Sequence, residues 1–135
     1  MNQAVLAYYR QLLKDNFPHS GELENPSIFA EAVGKEMIHC SDGNFMELYL
    51  QVSERRITDI KYLCICEPAA NVAVEILCRL LKGKEIDEAA ALTEKKISAV
   101  LGTTDREFQE KAAGILELLK EGISNYSSNE DSGPL

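Results

Sequence analysis

The sequence contains no tryptophan and only two histidines, His19 and His39, which leaves little material for a histidine-centred active site. It is also short of positive charge. Lysine and arginine total 14 against 22 aspartates and glutamates, for a formal net charge of −8. A nucleic-acid backbone or an anionic membrane surface would repel such a chain, so neither is expected as its main partner. No apolar run approaches the roughly 18 residues a membrane span needs. The opening stretch, MNQAVLAYYRQLLKD, has no basic start, long apolar centre or small-residue cleavage site. A cytoplasmic setting is therefore expected, where Cys40, Cys64, Cys66 and Cys78 stand as thiols or metal ligands rather than disulfides. With 135 residues, 45% of them hydrophobic, the chain has room for one domain with its own core.

Hydrophobic spacing gives the elements. Val5, Leu6, Tyr9, Leu12 and Leu13 recur at helical intervals over residues 2–15, and the helix should stop before Asn16-Phe17-Pro18. Residues 16–31 hold two prolines, a glycine and several turn formers, and read as ordered coil. Met46, Leu48, Leu50 and Val52 alternate with Glu47, Tyr49 and Gln51, the period of a half-buried strand. Thr58, Ile60, Tyr62, Cys64 and Cys66 form a second alternating set, and the polar link 53–56 joins the two as an antiparallel hairpin. Residues 33–40 supply a candidate preceding strand. After Pro68, the stripe Val72, Ala73, Ile76, Leu77, Leu80, Leu81 predicts a helix ending at Gly83. Short helices follow over 85–92 and 94–101, then a last one from about Thr104 to Gly122. Residues 124–135 have too little apolar content to pack and read as a disordered tail beyond a single domain at 1–123. The expected fold is α+β: a three-stranded antiparallel sheet packed on one side by four to five helices.

This arrangement brings cysteines together. Matching apolar faces pairs Leu48 with Ile60 or Tyr62, which sets Cys66 opposite Asp42 or Asn44; a one-residue slip would oppose Leu48 to Lys61. The loop 40–44 should then meet residues 64–67 at one end of the sheet, where the helix starting at Pro68 aims its N-terminus and favours thiolate. Thiolates and a carboxylate at such a place suit a soft metal or an iron–sulfur site. Cys64-x-Cys66 lacks the spacing of a zinc knuckle, however, and Cys64 and Cys78 read better as packing residues.

The order of motifs resembles the NifU/IscU-type iron–sulfur cluster assembly scaffold domain, from residue 4 to about 126. The opening helix followed by Gly21-Glu22-Leu23-Glu24-Asn25-Pro26 is similar to the family's entry segment. Cys40-x-Asp42-Gly43 before Met46-Glu47-Leu48 resembles its Cys-Gly-Asp loop and next strand. Leu80 to Ala89, with Lys82-Gly83-Lys84 and Asp87-Glu88-Ala89, is very like its helix end, and Thr93 to Gly102 resembles the stretch after it. The resemblance implies a non-enzymatic scaffold on which iron or a [2Fe–2S] cluster is held by cysteine thiolates. It also implies a cysteine desulfurase and cluster-acceptor proteins as partners.

The ligand positions depart from the family pattern. The first family cysteine corresponds to Cys40 if Cys-x-Asp is matched, or to Asp42 if residues are counted back from Met46. The second falls on Glu67 in the gapless register, with Cys66 just before it. The third falls at Glu110-Lys111, and no cysteine follows Cys78. The residues that inherit a ligand role are thus Cys40, Asp42 and Cys66, with Glu67 as a possible addition. Two further readings follow: a cluster-free module that binds proteins, or a zinc site built from the same residues. A thiol enzyme is disfavoured, because His39, extended beside Cys40, points to the other face.

Overall fold

A computed structural model describes residues 2–33 and 45–131. Helix α1 (Gln3–Lys14) begins at Asn2, whose side chain accepts from the amides of Ala4 and Val5. Three strands follow, β1 (Ile28–Val33), β2 (Phe45–Ser53) and β3 (Arg56–Ile65), then α2 (Pro68–Leu81), α3 (Ile86–Ala90), α4 (Glu94–Leu101) and α5 (Arg106–Asp131). The sheet is antiparallel in the order β1-β2-β3, with α2 and α5 on one face; the fold class is the α+β one expected.

Of the two registers open to the hairpin, the chain adopts Leu48 opposite Tyr62 and Leu50 opposite Ile60. A bulge between Gln51 and Val52 then shifts the pairing, so that Val52 faces Ile57. The turn is two residues long, and both Glu54 and Arg55 have positive φ, at 51° and 63°. This is the backbone twist that right-handed strands require of a tight hairpin, reached here without the usual asparagine or glycine. Met46, Leu48, Leu50, Ile60 and Tyr62 are buried against the helices, with Ile28, Ala30 and Ala32 of β1 beside them.

Helix α2 is the centre of the molecule. Proline at its first turn supplies a preset φ and needs no amide partner there. Ala69, Ala70, every residue from Val72 to Cys78, and Leu81 are buried, because α1, α4, α5 and β3 all pack against it. A fully buried Ile or Leu is worth about 1.5–3 kcal/mol of transfer free energy, so this helix anchors the core. One charge lies inside it. Glu75 accepts hydrogen bonds from the His19 amide at 3.0 Å, the His19 Nδ1 at 2.8 Å and the Tyr62 hydroxyl at 3.1 Å. Burial, with Glu75 alongside, pushes the Tyr62 phenol well above its ordinary pKa. The network holds the coil after α1 against the free edge of β3, where the Gly21 amide donates to the Tyr62 carbonyl and the Tyr62 amide to that of His19.

Three sequence expectations change. Residues 28–31 are strand rather than coil: Ile28, Ala30 and Ala32 are buried while Phe29 and Glu31 face outward, an alternation obscured by two alanines of low strand preference. Of the strand expected over 33–40, Val33 closes β1 and the remainder lies outside the described residues. The last helix does not stop at Gly122. It continues through residues 124–131, where the composition suggests a tail, because Tyr126 extends the apolar stripe onto the core and no proline interrupts the run. Gly122 is a packing residue: a Cβ there would lie 3.0 Å from Ile28 Cγ2 and 3.2 Å from the Ala30 Cβ.

Replacing Gly122 with alanine should therefore lower stability by about 1 kcal/mol in thermal unfolding, despite alanine's better helix propensity. Alkaline titration gives a second check. On the outer face, burial, the hydrogen bond to Glu47 at 2.9 Å, and the charges of Glu47, Glu22 and Glu31 push the Tyr49 pKa up to about 12. Stability from this group is complete below pH 10 and lost as pH rises towards 12, because the unfolded chain releases the proton first. Glu47→Gln should move that ionisation back towards the ordinary value in a tyrosinate absorbance titration.

Candidate functional site at the end of the sheet

Strand β3 turns its inner-face residues Ile60 and Tyr62 into the core and carries Cys64 in the same parity. Two residues on, just past the end of the strand, Cys66 continues that side and packs half-buried at the edge of the core. The Cys64 side chain is its polar neighbour, close enough to share a hydrogen bond with it. That bond and burial push the Cys66 pKa well up, with Lys111 pulling the other way. Glu67 caps α2 by position, and its side chain makes no bond to the helix amides.

Glu67 instead reaches across to α5. Its Oε1 lies 3.4 Å from the Nζ of Lys111, whose side chain is only 6% exposed against 49% for Glu67. The ammonium sits inside the structure because Lys111 follows Phe108 by one helical turn, on the face that α5 buries against α2. The corner thus consists of the end of β3, the start of α2 and the second turn of α5. It contains two thiols, one carboxylate and one buried cation.

The site residues expected from sequence fare unequally. Cys66 and Glu67 stand together at the sheet end beside the α2 N-terminus. Cys40 and Asp42 lie outside the described residues, as does Asn44. Cys78 is buried in the core, and burial drives its pKa well above the ordinary thiol value; it is a packing residue. Among the described residues, no group of three or more histidine, cysteine, aspartate or glutamate side chains is placed to hold a metal ion. Lys111 received no role from the sequence. Its signal was a lysine within the inward stripe of the last helix, three residues after Phe108. The His19–Glu75 pair was missed too, its only sign being an acid in the otherwise apolar stripe of α2.

A family model described as the NifU-like N terminal domain matches residues 8–132. The chain belongs to this family. A curated relative, iron–sulfur cluster assembly scaffold protein IscU 1 of Archaeoglobus fulgidus, is 27% identical over 84 residues. That match covers 62% of this chain and 55% of the relative, so the chain spans about half the length of the curated protein it matches. IscU 2 of the same organism matches at the same identity and coverage. Solved structures share the fold. The N-terminal part of a NifU-like protein from Brucella abortus superposes with a TM-score of 0.59 at 14% identity, covering 98% of this chain and 95% of that one. A protein described as a candidate cluster assembly scaffold for the SUF system of Fervidobacterium islandicum gives a TM-score of 0.67 at 12% identity, covering 91% and 96%.

Glu67 at the start of α2 and Lys111 in α5 thus face each other across this corner. The structure brings their side chains together as an ion pair. Because only the lysine is buried, the two halves of this pair should respond differently to removal. Glu67→Ala strands a buried ammonium and should cost about 2 kcal/mol, whereas Lys111→Met leaves a half-exposed carboxylate and should change stability by less than about 1 kcal/mol. Chemical denaturation of the two variants measures the asymmetry.

Proposed function

We propose that this NifU-like chain is a scaffold or carrier for iron–sulfur cargo, either iron or a [2Fe–2S] cluster. The cargo is held at the β3–α2 corner by Cys66 with Cys40 and Asp42, and Glu67 is a further candidate ligand. The role is binding and transfer rather than catalysis. A cysteine desulfurase would supply sulfur, and acceptor proteins would receive the cargo. The observation that carries this reading is the position of Cys66: half-buried, at the end of the central hairpin, one residue before the cap of α2. A helix N-terminus favours the thiolate that a soft metal requires. Lys111 favours it too. Binding of a soft metal by a thiol releases the thiol proton, so loading is expected to grow more favourable as pH rises.

A second reading has its own support. The Glu67–Lys111 pair fills two positions that the family resemblance assigns to thiolates, and it neutralises itself without metal. On this reading the chain is a cluster-free member of the family that works by binding proteins. A zinc-binding variant would use the same residues as the cargo reading, since tetrahedral sulfur and oxygen ligation suits zinc as well.

Anaerobic reconstitution with iron and a desulfurase, followed by visible spectroscopy and metal analysis, separates these readings. Thiolate–iron bands that disappear in the Cys40→Ala, Cys66→Ala double variant are expected if the chain carries a cluster. Stoichiometric zinc without iron would establish the zinc variant. Absence of both metals would overturn the cargo reading and leave the interaction module.

A further inference from the structure

Among the described residues, no strand pairs with the outer edge of β1. β1 pairs with β2 on one side only, and no described backbone hydrogen bond reaches residues 28–33 from any other element. The opposite edge, on β3, is partly covered by the coil at 19–21. Natural sheets commonly protect edges with lysine, proline or a covering segment, because a row of free amides and carbonyls templates another strand. Here the row borders an open groove. One cavity of about 250 Å³ lies between Phe29, Ala30, Glu31 and the α5 residues Leu118, Glu121 and Gly122. Another of about 210 Å³ continues it past Ile28 and Ser27, sharing Phe29, Gly122 and Asn125. Gly122, which lets α5 approach β1, lines both cavities.

The charges around this edge are of one sign. Glu31 and Glu47 lie directly opposite each other on the outer face of the sheet, a like-charge pairing that costs stability in an isolated sheet. Neither forms an ion pair among the described residues; Glu47 accepts only from Tyr49. Glu121 borders the groove on the other side of the edge. Beside the two sheet carboxylates, Phe29 is 46% exposed and its ring lies 5.2 Å from that of Tyr49. An added strand would project alternate side chains to these two sides. Cations on one side would meet Glu31 and Glu47 beside an aromatic pair, and small apolar residues on the other would enter the groove over Gly122. A second copy of the chain is a poor occupant, since strand-to-strand pairing would crowd carboxylates from two chains that each carry −8.

We infer that β1 is a docking edge for an extended, lysine- or arginine-bearing segment of a partner protein, which adds to the sheet as a fourth strand and neutralises Glu31 and Glu47. Main-chain hydrogen bonds would give most of the affinity and the acidic pair the choice of partner. The inference does not depend on whether the sheet-end corner holds cargo.

The test uses the full chain and a decapeptide alternating arginine and valine. Two control peptides carry glutamate in place of arginine, or methyl groups on alternate backbone nitrogens. Amide exchange followed by NMR should show slower exchange across residues 28–33 with the arginine peptide and with neither control. Combined Glu31→Lys and Glu47→Lys substitutions should weaken binding by about ten-fold or more, with the thermal midpoint not lowered. Binding of the glutamate or methylated peptide as tight as that of the arginine peptide would overturn the proposal. So would protection elsewhere, no binding, or β1 amides already protected in the free chain. Sedimentation of the free chain as a dimer would assign the edge to a second copy instead.

Discussion

The rest of the structure depends on the burial of α2. A helix that hides nearly every residue from Ala69 to Cys78 must be enclosed on several sides, and each neighbour is placed by that demand. The sheet covers one side, α5 and α4 others, and α1 a further one. The coil after α1 is fixed by the one charge the helix buries, since Glu75 is satisfied only if His19 and Tyr62 come to it. A buried carboxylate without those partners would cost several kcal/mol, so the helix dictates the path of a segment that has little hydrophobic content of its own.

Much of this was legible in the sequence. Period-two alternation over 46–52 and 58–66 fixed the hairpin to two registers one pair apart, and the slipped register would have set leucine against lysine. Pro68 and Gly83 bracketed α2 correctly because each acts through its own backbone, whatever surrounds it. Gly102, at φ 66°, closes α4 for the same reason. The failures share a physical cause, in that each hinged on tertiary contact. Ala30 and Ala32 make a strand only because α5 covers them. Gly122 looks like a helix terminator until β1 is seen to occupy the space its side chain would fill. Residues 124–131 are polar, yet one tyrosine turned onto the core continues the helix.

The candidate site was half legible. Strand parity put Cys66 at the sheet end, and the proline after Glu67 put a helix start beside it, both from local rules. The role of Lys111 could not be read in this way. A lysine three residues after Phe108 is inward-facing by period, but lysine stems often lie along apolar surface with the head in water. What holds this head inside is Glu67, more than forty positions away in sequence. Long-range charge pairing of this kind leaves no periodic trace. The same holds for Glu31 and Glu47, whose opposition follows from the pairing of β1 with β2 and is invisible until β1 is known to be a strand.

The ion pair also constrains how the corner can work. A cluster of thiolates in a partly buried place is unstable until metal neutralises it, which couples such a corner to its cargo. A glutamate–lysine pair has no such need, because its two charges offset each other. The Glu67–Lys111 pair is therefore neutral by itself. Cargo that engaged Glu67 would take the carboxylate from Lys111 and leave a buried ammonium, which only an anionic ligand set could compensate. Thiolates would bring that negative charge whichever soft metal they held, whereas a bare divalent cation would add to the positive charge. The buried lysine thus makes the charge at this corner depend on Glu67, and any group that drew that carboxylate away would have to bring negative charge of its own.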